Sequence, residues 1–199
     1  MKGQLNSKGQ QKMGDTLKNQ TKFMEQIGSR EIITQKRIIK LFEKELKYHF
    51  MGDRTDYDNS NIDEERLQKY LKGTQRYSPA EISSAITQLK RAAGNIATGL
   101  YHANKEVYGL LRYGVNVSGS AGYSTAKSSN TTKKYAHLID WKNPQANDFY
   151  IAEEVTVKGR NTKRPDLVIF VNGIALVVIE LKRSTVSVHH GIRQNLDNQ

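Results

Sequence analysis

The chain has 199 residues, with 31 lysines and arginines against 20 aspartates and glutamates, a net charge of +11 and a pI near 9.7. That length supports one domain with a real core, and the basic balance favours a polyanionic partner, of which nucleic acid is the commonest. The lack of cysteine excludes a disulfide scaffold and thiolate metal sites. No apolar run reaches the ~20 residues of a membrane helix, and the opening MKGQLNSKGQQKMGD lacks the apolar stretch of a signal peptide. A soluble, cytoplasmic protein is expected.

Residues 1–29 are polar and rich in Gln, Lys and Asn, and partial disorder is expected there. Residues 30–199 read as one domain, helical over 30–114 and sheet-forming over 115–199. From Glu31, REIITQKRIIKLFEKELKYHF places Ile32, Ile38, Ile39, Phe42 and Leu46 near one stripe of a helix, and MGDRTDYDNSN follows as a loop. IDEERLQKYLKG predicts a short helix closed by Gly73. SPAEISSAITQLKRAAG opens with Ser78 as N-cap, Pro79 at the first helical position and Glu81 completing a capping box. NIATGLYHANKEVYGLLRYG continues as helix to Gly114. Strands are expected at VNVS, YAHLID, FYIAEEVTVKG, DLVIFV and ALVVIELK, with a mobile loop over 118–134. Helices packed with a short sheet make the chain α/β or α+β.

The stretch RPDLVIFVNGIALVVIELKRS, residues 164–184, sets a chemical question. Two β-branched runs joined at Asn172-Gly173 predict a hairpin inside a covered sheet, yet Asp166 stands at its mouth and Glu180 and Lys182 at its far end. A two-residue turn alone would put Asp166 opposite Ile179 and send Glu180 to the other face. A three-residue loop, Val171-Asn172-Gly173, would set Phe170 opposite Ile174 and bring Asp166, Glu180 and Lys182 to one face, so that loop is the expected one. Charges are costly to bury without a partner. A divalent cation such as Mg²⁺ would compensate the carboxylates of Asp166 and Glu180, with the main-chain carbonyl of Leu181 as a third oxygen ligand. Lys182 would lie beside a metal-bound water, able to orient or deprotonate it and to stabilise charge growing on a phosphorane. The same residues also fit an aspartate opening a strand and a Glu-Lys pair leaving the sheet for solvent; pattern alone leaves both open.

The surroundings narrow the choice. RPDLVIFVNG, VVIELK, the preceding LIDWKNPQANDFYIAEEVTVKG and the following GIRQNLDNQ resemble the nuclease motif of the restriction (R) subunit of type I restriction-modification enzymes, a branch of the PD-(D/E)xK nuclease superfamily. The likeness covers roughly residues 100–199, and the earlier helices more loosely. It implies an α/β, restriction-endonuclease-like core: a central mixed sheet flanked by helices, preceded by a helical N-terminal region. It also implies Mg²⁺-dependent hydrolysis of double-stranded DNA, with Mn²⁺ able to substitute, Asp166 and Glu180 as metal ligands and Lys182 as the catalytic lysine. Methyltransferase and specificity subunits would be partners. Cleavage in such enzymes follows stalling of an ATP-driven motor, and no Gly-x-x-x-x-Gly-Lys-Ser/Thr occurs here. ATP would therefore act only through a motor domain absent from this chain, which is expected to be the front part of a longer subunit.

Gln194 matches the glutamine of a Gln-x-x-x-Tyr motif that supports DNA binding, although Asn198 stands in the tyrosine position. Some members of the superfamily add a helix glutamate, for which Glu106 is a candidate beside its simpler reading as an exposed residue. Lys158, Arg160, Lys163 and Arg164 cluster before Asp166 and are candidates for DNA phosphate contacts or a solvated basic turn. His189-His190 reads as a surface turn, and the ten tyrosines read mostly as helix packing. A stand-alone repair or recombination nuclease of the same superfamily and a catalytically silent DNA-binding module are the competing functions.

Overall fold

The computed structural model describes residues 31–57, 59–74, 76–118, 133–157 and 162–181, together with Ile192, Arg193 and Leu196. The stretch 1–29, most of the 118–134 loop and His189-His190 lie outside the described residues.

The first helix (α1, residues 31–44) turns Gln35, Ile38, Ile39 and Phe42 inward, spaced i, i+3, i+4 and i+7 as one face of a helix requires. Gln35 and Ile39 are buried, Ile38 and Phe42 partly so. Ile32 and Leu46, expected on that stripe, are half exposed. The helix ends earlier than its sequence suggests, and Lys47 turns the chain with a φ of +60°. His49–Asp53, read from sequence as helix end and loop, is a strand (β1) pairing in parallel with β4 (Phe149–Glu153). Tertiary packing overrides local propensity here. Tyr48 meets Phe42 edge-on and stacks on Phe149, with ring centroids 5.0 and 5.1 Å apart.

The next helices follow their end signals closely. Helix α2 (Glu64–Gly73) starts at Asp63, whose carboxylate accepts the Arg66 N–H. Helix α3 (Pro79–Gly94) carries both halves of the Ser78/Glu81 capping box. Glu81 also pairs with Lys134, whose ammonium, with the Ser78 backbone, holds its carboxyl below the usual range. The helix expected from Asn95 onward is interrupted: a 3₁₀ turn, Ile96–Thr98, precedes Gly99, and α4 proper runs Leu100–Tyr113 before stopping at Gly114. A two-stranded antiparallel ribbon of β2 (Val115–Asn116) and β3 (Tyr135–Ala136) completes this half. Leu67, Leu71, Ile82, Leu89, Leu111 and Leu138 form its core, and Ile174 joins it from the second half. Tyr70 of α2 is a core residue and Tyr48, Tyr77 and Tyr150 pack against the core, whereas Tyr101, Tyr108 and Tyr113 of α4 are 72%, 59% and 71% exposed.

The second half is a mixed four-stranded sheet in the order β1-β4-β5-β6, with β5 spanning Leu167–Val171 and β6 Ile174–Ile179. Only β1 and β4 are parallel; β4–β5 and β5–β6 are antiparallel. Ile38, Ile39 and Phe42 of α1 cover one face against Ile151, Leu167 and Ile179. On the other face Ala152, Val168 and Phe170 pack with Met51 and Ala175. Among the described residues no helix joins that second cluster, although Arg66 of α2 sits over the Tyr150 ring at 5.1 Å. Among the described residues, the expected flanking helix is seen on the α1 face. Strand β5 is buried throughout, whereas β6 is an edge of the described sheet, with Leu176, Val177 and Val178 exposed instead of covered. The architecture is α/β.

Candidate functional site

The hairpin that carries Asp166 and Glu180 is held from its turn end. Asn172 and Gly173 take φ values of +53° and +88°, the two left-handed positions of a tight two-residue turn that Asn-Gly suits. Asn172 is fully buried and fully used. Its amide donates to the Leu138 carbonyl (2.9 Å) and to Asn147 Oδ1 (2.8 Å), while its Oδ1 accepts the Asp148 N–H at 2.7 Å. The Gly173 carbonyl accepts the Asp63 N–H at 2.7 Å, and a Cβ at Gly173 would stand 2.5 Å from the Asp63 carbonyl oxygen.

This corrects the expected three-residue loop. Val171 faces Ile174 and Phe170 faces Ala175, as a two-residue turn dictates, but Ile169 then faces Val177. Leu176 is an extra residue, a bulge. Beyond it Val168 faces Val178 and Leu167 faces Ile179, so one further step brings Asp166 opposite Glu180, not Val178. A bulge, not a longer loop, makes up the offset. At that end the Leu181 N–H donates to Asp166 Oδ2 at 2.6 Å, tying the two strand ends together. Asp166 Oδ1 makes no hydrogen bond among the described residues. The backbone thus orients one Asp166 oxygen, and Asp166 with Glu180 and the Leu181 carbonyl offers oxygen donors of the kind a hard cation takes. Among the described residues there is no group of three or more His, Asp or Glu that could hold a metal; Asp166 and Glu180 are the two carboxylates at this end of the hairpin.

More carboxylates gather along this end of the sheet. Asp53 faces Glu153 across β1–β4, and the Glu154 N–H, from a residue with φ +52°, donates to the Asp166 carbonyl at 3.0 Å. Burial, then the Asp53 charge, push the Glu153 carboxyl above its ordinary range. The Thr55 backbone N–H holds Asp53 below its own. The buried amide of Gln35 reaches into this row from α1, donating to Glu153 Oε2 (3.2 Å), Glu154 Oε1 (3.4 Å) and the Asp166 carbonyl (3.5 Å). Gln35, Glu153 and Glu154 are residues that sequence reasoning missed. The available signals were a polar residue on an otherwise apolar helix stripe and a Glu-Glu pair closing the apolar run FYIA.

The remaining candidates fall variously. Arg164 Nε pairs with Glu154 Oε2 at 3.1 Å. Lys163 sits in a backbone bridge with Val157, just ahead of Asp166. Glu106 is exposed on α4, which packs against α3 at the turn end of the hairpin; the helix that meets the acidic row is α1, and it offers Gln35. Lys182, Lys158, Arg160, Gln194 and Asn198 lie outside the described residues.

An α/β domain with carboxylates at the open end of a bulged hairpin is therefore the class the geometry defines. By comparison of sequences, residues 29–199 match the family of the type I restriction enzyme R protein N terminus, and the chain belongs to that family. Two relatives from Methanocaldococcus jannaschii are similar to it. The type I restriction enzyme MjaVIIIP endonuclease subunit is 34% identical over 79 residues, 40% of this chain and 7% of that protein. The MjaVIIP endonuclease subunit is 38% identical over 73 residues, 36% of this chain and 6% of that protein. The matched segments are thus a small fraction of those relatives' length. No solved structure matches the chain. None of its described helices is long and apolar enough to cross a membrane.

Proposed function

We propose that this domain hydrolyses DNA phosphodiester bonds with Mg²⁺, as the nuclease part of a type I restriction R subunit that cuts after motor-driven translocation. One observation carries the reading: the bulge at Leu176 sets Asp166 opposite Glu180 while Leu181 orients the Asp166 carboxylate. In this role Asp166, Glu180 and the Leu181 carbonyl hold the ion, and Lys182 orients the attacking water and stabilises charge on the scissile phosphate. Mg²⁺, or Mn²⁺ in its place, supplies a more acidic water and charge neutralisation at the phosphate. Lys163 and Arg164, with Lys158, Arg160 and Gln194, are the proposed DNA contacts. Arg164 would exchange Glu154 for a phosphate. Double-stranded DNA and the methyltransferase and specificity subunits are the proposed partners.

The test is substitution in the full-length subunit, assembled with its partners. Asp166→Ala and Glu180→Ala should abolish plasmid cleavage while ATP hydrolysis and translocation persist, and Lys182→Ala should abolish cleavage yet leave Mn²⁺ binding largely intact by calorimetric titration. Cleavage at the wild-type rate by Asp166→Ala would sink the assignment.

A further inference from the structure

Helix α4 turns an unusual face outward. Tyr101, Lys105, Tyr108 and Arg112 are spaced four, three and four residues apart, which places them on one stripe, opposite the buried Ala103 and Leu111. All four are exposed. The stripe continues onto the next element in space. The Arg112 guanidinium lies 5.5 Å from the Trp141 ring, and the indole N–H donates to the Leu111 carbonyl at 2.8 Å, so the ring is fixed while about half of it, 48%, stays open. A cleft of about 510 Å³ opens there, with Arg112, Trp141 and Lys142 in its wall. Asp140 also lines the cleft, but its Oδ1 is engaged by the N–H groups of Lys142 and Asn143. Among the described residues Lys105, Arg112 and Lys142 are in none of the ion pairs, which join Arg66, Lys90, Lys134 and Arg164 to carboxylates.

We propose that this stripe, from Tyr101 to Lys142, is a binding surface for single-stranded DNA. Its alternation of flat rings and unpaired cations is what a nucleic-acid strand recognises: rings stack on bases, cations meet phosphates. Tyr101 and Tyr108 are seven residues apart, ~10 Å along the helix axis, a separation open to bases splayed out of a duplex. Bases within a duplex are already stacked and have no free face to offer. No aliphatic side chain lies between the rings on the stripe, which sets it apart from the apolar centre of a protein–protein contact. The surface is separate from the acidic row. It lies near the Asn172 end of the hairpin, and Asp166 lies at the other end of a five-residue strand, ~17 Å away. The inference rests on the reading that the domain handles DNA, but binding alone reads it out.

The experiment uses the 199-residue chain, a fluorescein-labelled 20-nucleotide oligo(dT) and anisotropy in EDTA. Tyr101→Ala/Tyr108→Ala should weaken binding about tenfold or more, and Tyr101→Phe/Tyr108→Phe should keep it, because the ring and not the hydroxyl does the stacking. Lys105→Gln/Arg112→Gln/Lys142→Gln should flatten the dependence of log K on log salt by about two, at ~0.7 for each lost phosphate contact. Binding in EDTA involves no turnover, so loss of cleavage and loss of this surface are read separately. Unchanged affinity in the Tyr→Ala pair, with the fold verified by circular dichroism, overturns the proposal. So does duplex DNA competing as well as the oligonucleotide, or an alanine pair that binds DNA normally but no longer joins its partner subunits.

Discussion

Glu153 shows what one side chain in the acidic row costs the fold. Its carboxyl is pushed up by burial and by Asp53, so in the pH window between the unfolded and folded values the folded chain binds more protons there than the unfolded chain. For an acid with a raised folded pKa, stability falls as pH rises from the unfolded value of 4.5 through the folded one, and the penalty is full above both. Glu153→Gln should therefore raise the melting temperature of the metal-free domain at pH 7, with the gain disappearing as the pH is lowered towards 4.5. Thermal melts of both proteins across that range check it; an advantage that persists unchanged at about pH 4 contradicts the cause. Gln35 belongs to the same balance. Its amide donates to Glu153 and Glu154, and Gln35→Leu should remove those donors and destabilise the α1–sheet contact by about 1–3 kcal/mol, measured by urea unfolding.

At the scale of elements, the turn and the bulge decide where the charges lie. Gly173→Ala would force a Cβ to 2.5 Å from the Asp63 carbonyl in a left-handed backbone, so a loss of about 3 kcal/mol is expected, ~6–12 °C in melting temperature. The bulge permits a sharper test. Deleting Leu176 removes the extra residue and leaves Ile169 facing Val177, so Asp166 and Glu180 should still face each other and cleavage in the full subunit should survive. Inserting one alanine between Val178 and Ile179 is a change of equal size, but it sends Glu180 to the opposite face and should abolish cleavage. Equal activity in the two variants would separate function from this register. What was legible in the sequence follows the same division. The Ser78/Glu81 capping box, the Gly114 stop and the Asn-Gly turn are local signals, and the structure carries each. Strand β1 was not legible, because His49–Asp53 owes its extended form to Phe149–Glu153, far along the chain. The bulge escaped for a similar reason: nothing in IALVVI marks which residue is the extra one until β5 is set beside it. Gln35 and Glu153 escaped because their neighbours across the sheet, not their sequence context, make them members of the site.

For the whole molecule, the small number of carboxylates bears on how activity is controlled. Mg²⁺ gives up its waters reluctantly and is held tightly only where substrate phosphate joins the protein ligands. With Asp166 and Glu180 as its two carboxylates, the proposed site would fill when DNA is held against it, and the residence time of DNA would set the rate. In the proposed role the chain's hold on duplex is electrostatic: a net charge of +11 would attract DNA without regard to sequence and lose strength steeply with salt. A motor that stalls on DNA would supply the missing residence time. The isolated 199-residue chain is therefore expected to nick supercoiled plasmid feebly at about 0.15 M salt, more readily at about 0.02 M, and with little dependence on sequence, whereas the assembled enzyme with ATP should cut at both. Nicking assays at the two salt concentrations, with Asp166→Ala as the blank, measure the difference. Vigorous Mg²⁺-dependent degradation by the isolated chain at the higher salt would mean that the domain holds DNA by itself, and would point to a stand-alone nuclease in place of a motor-coupled one.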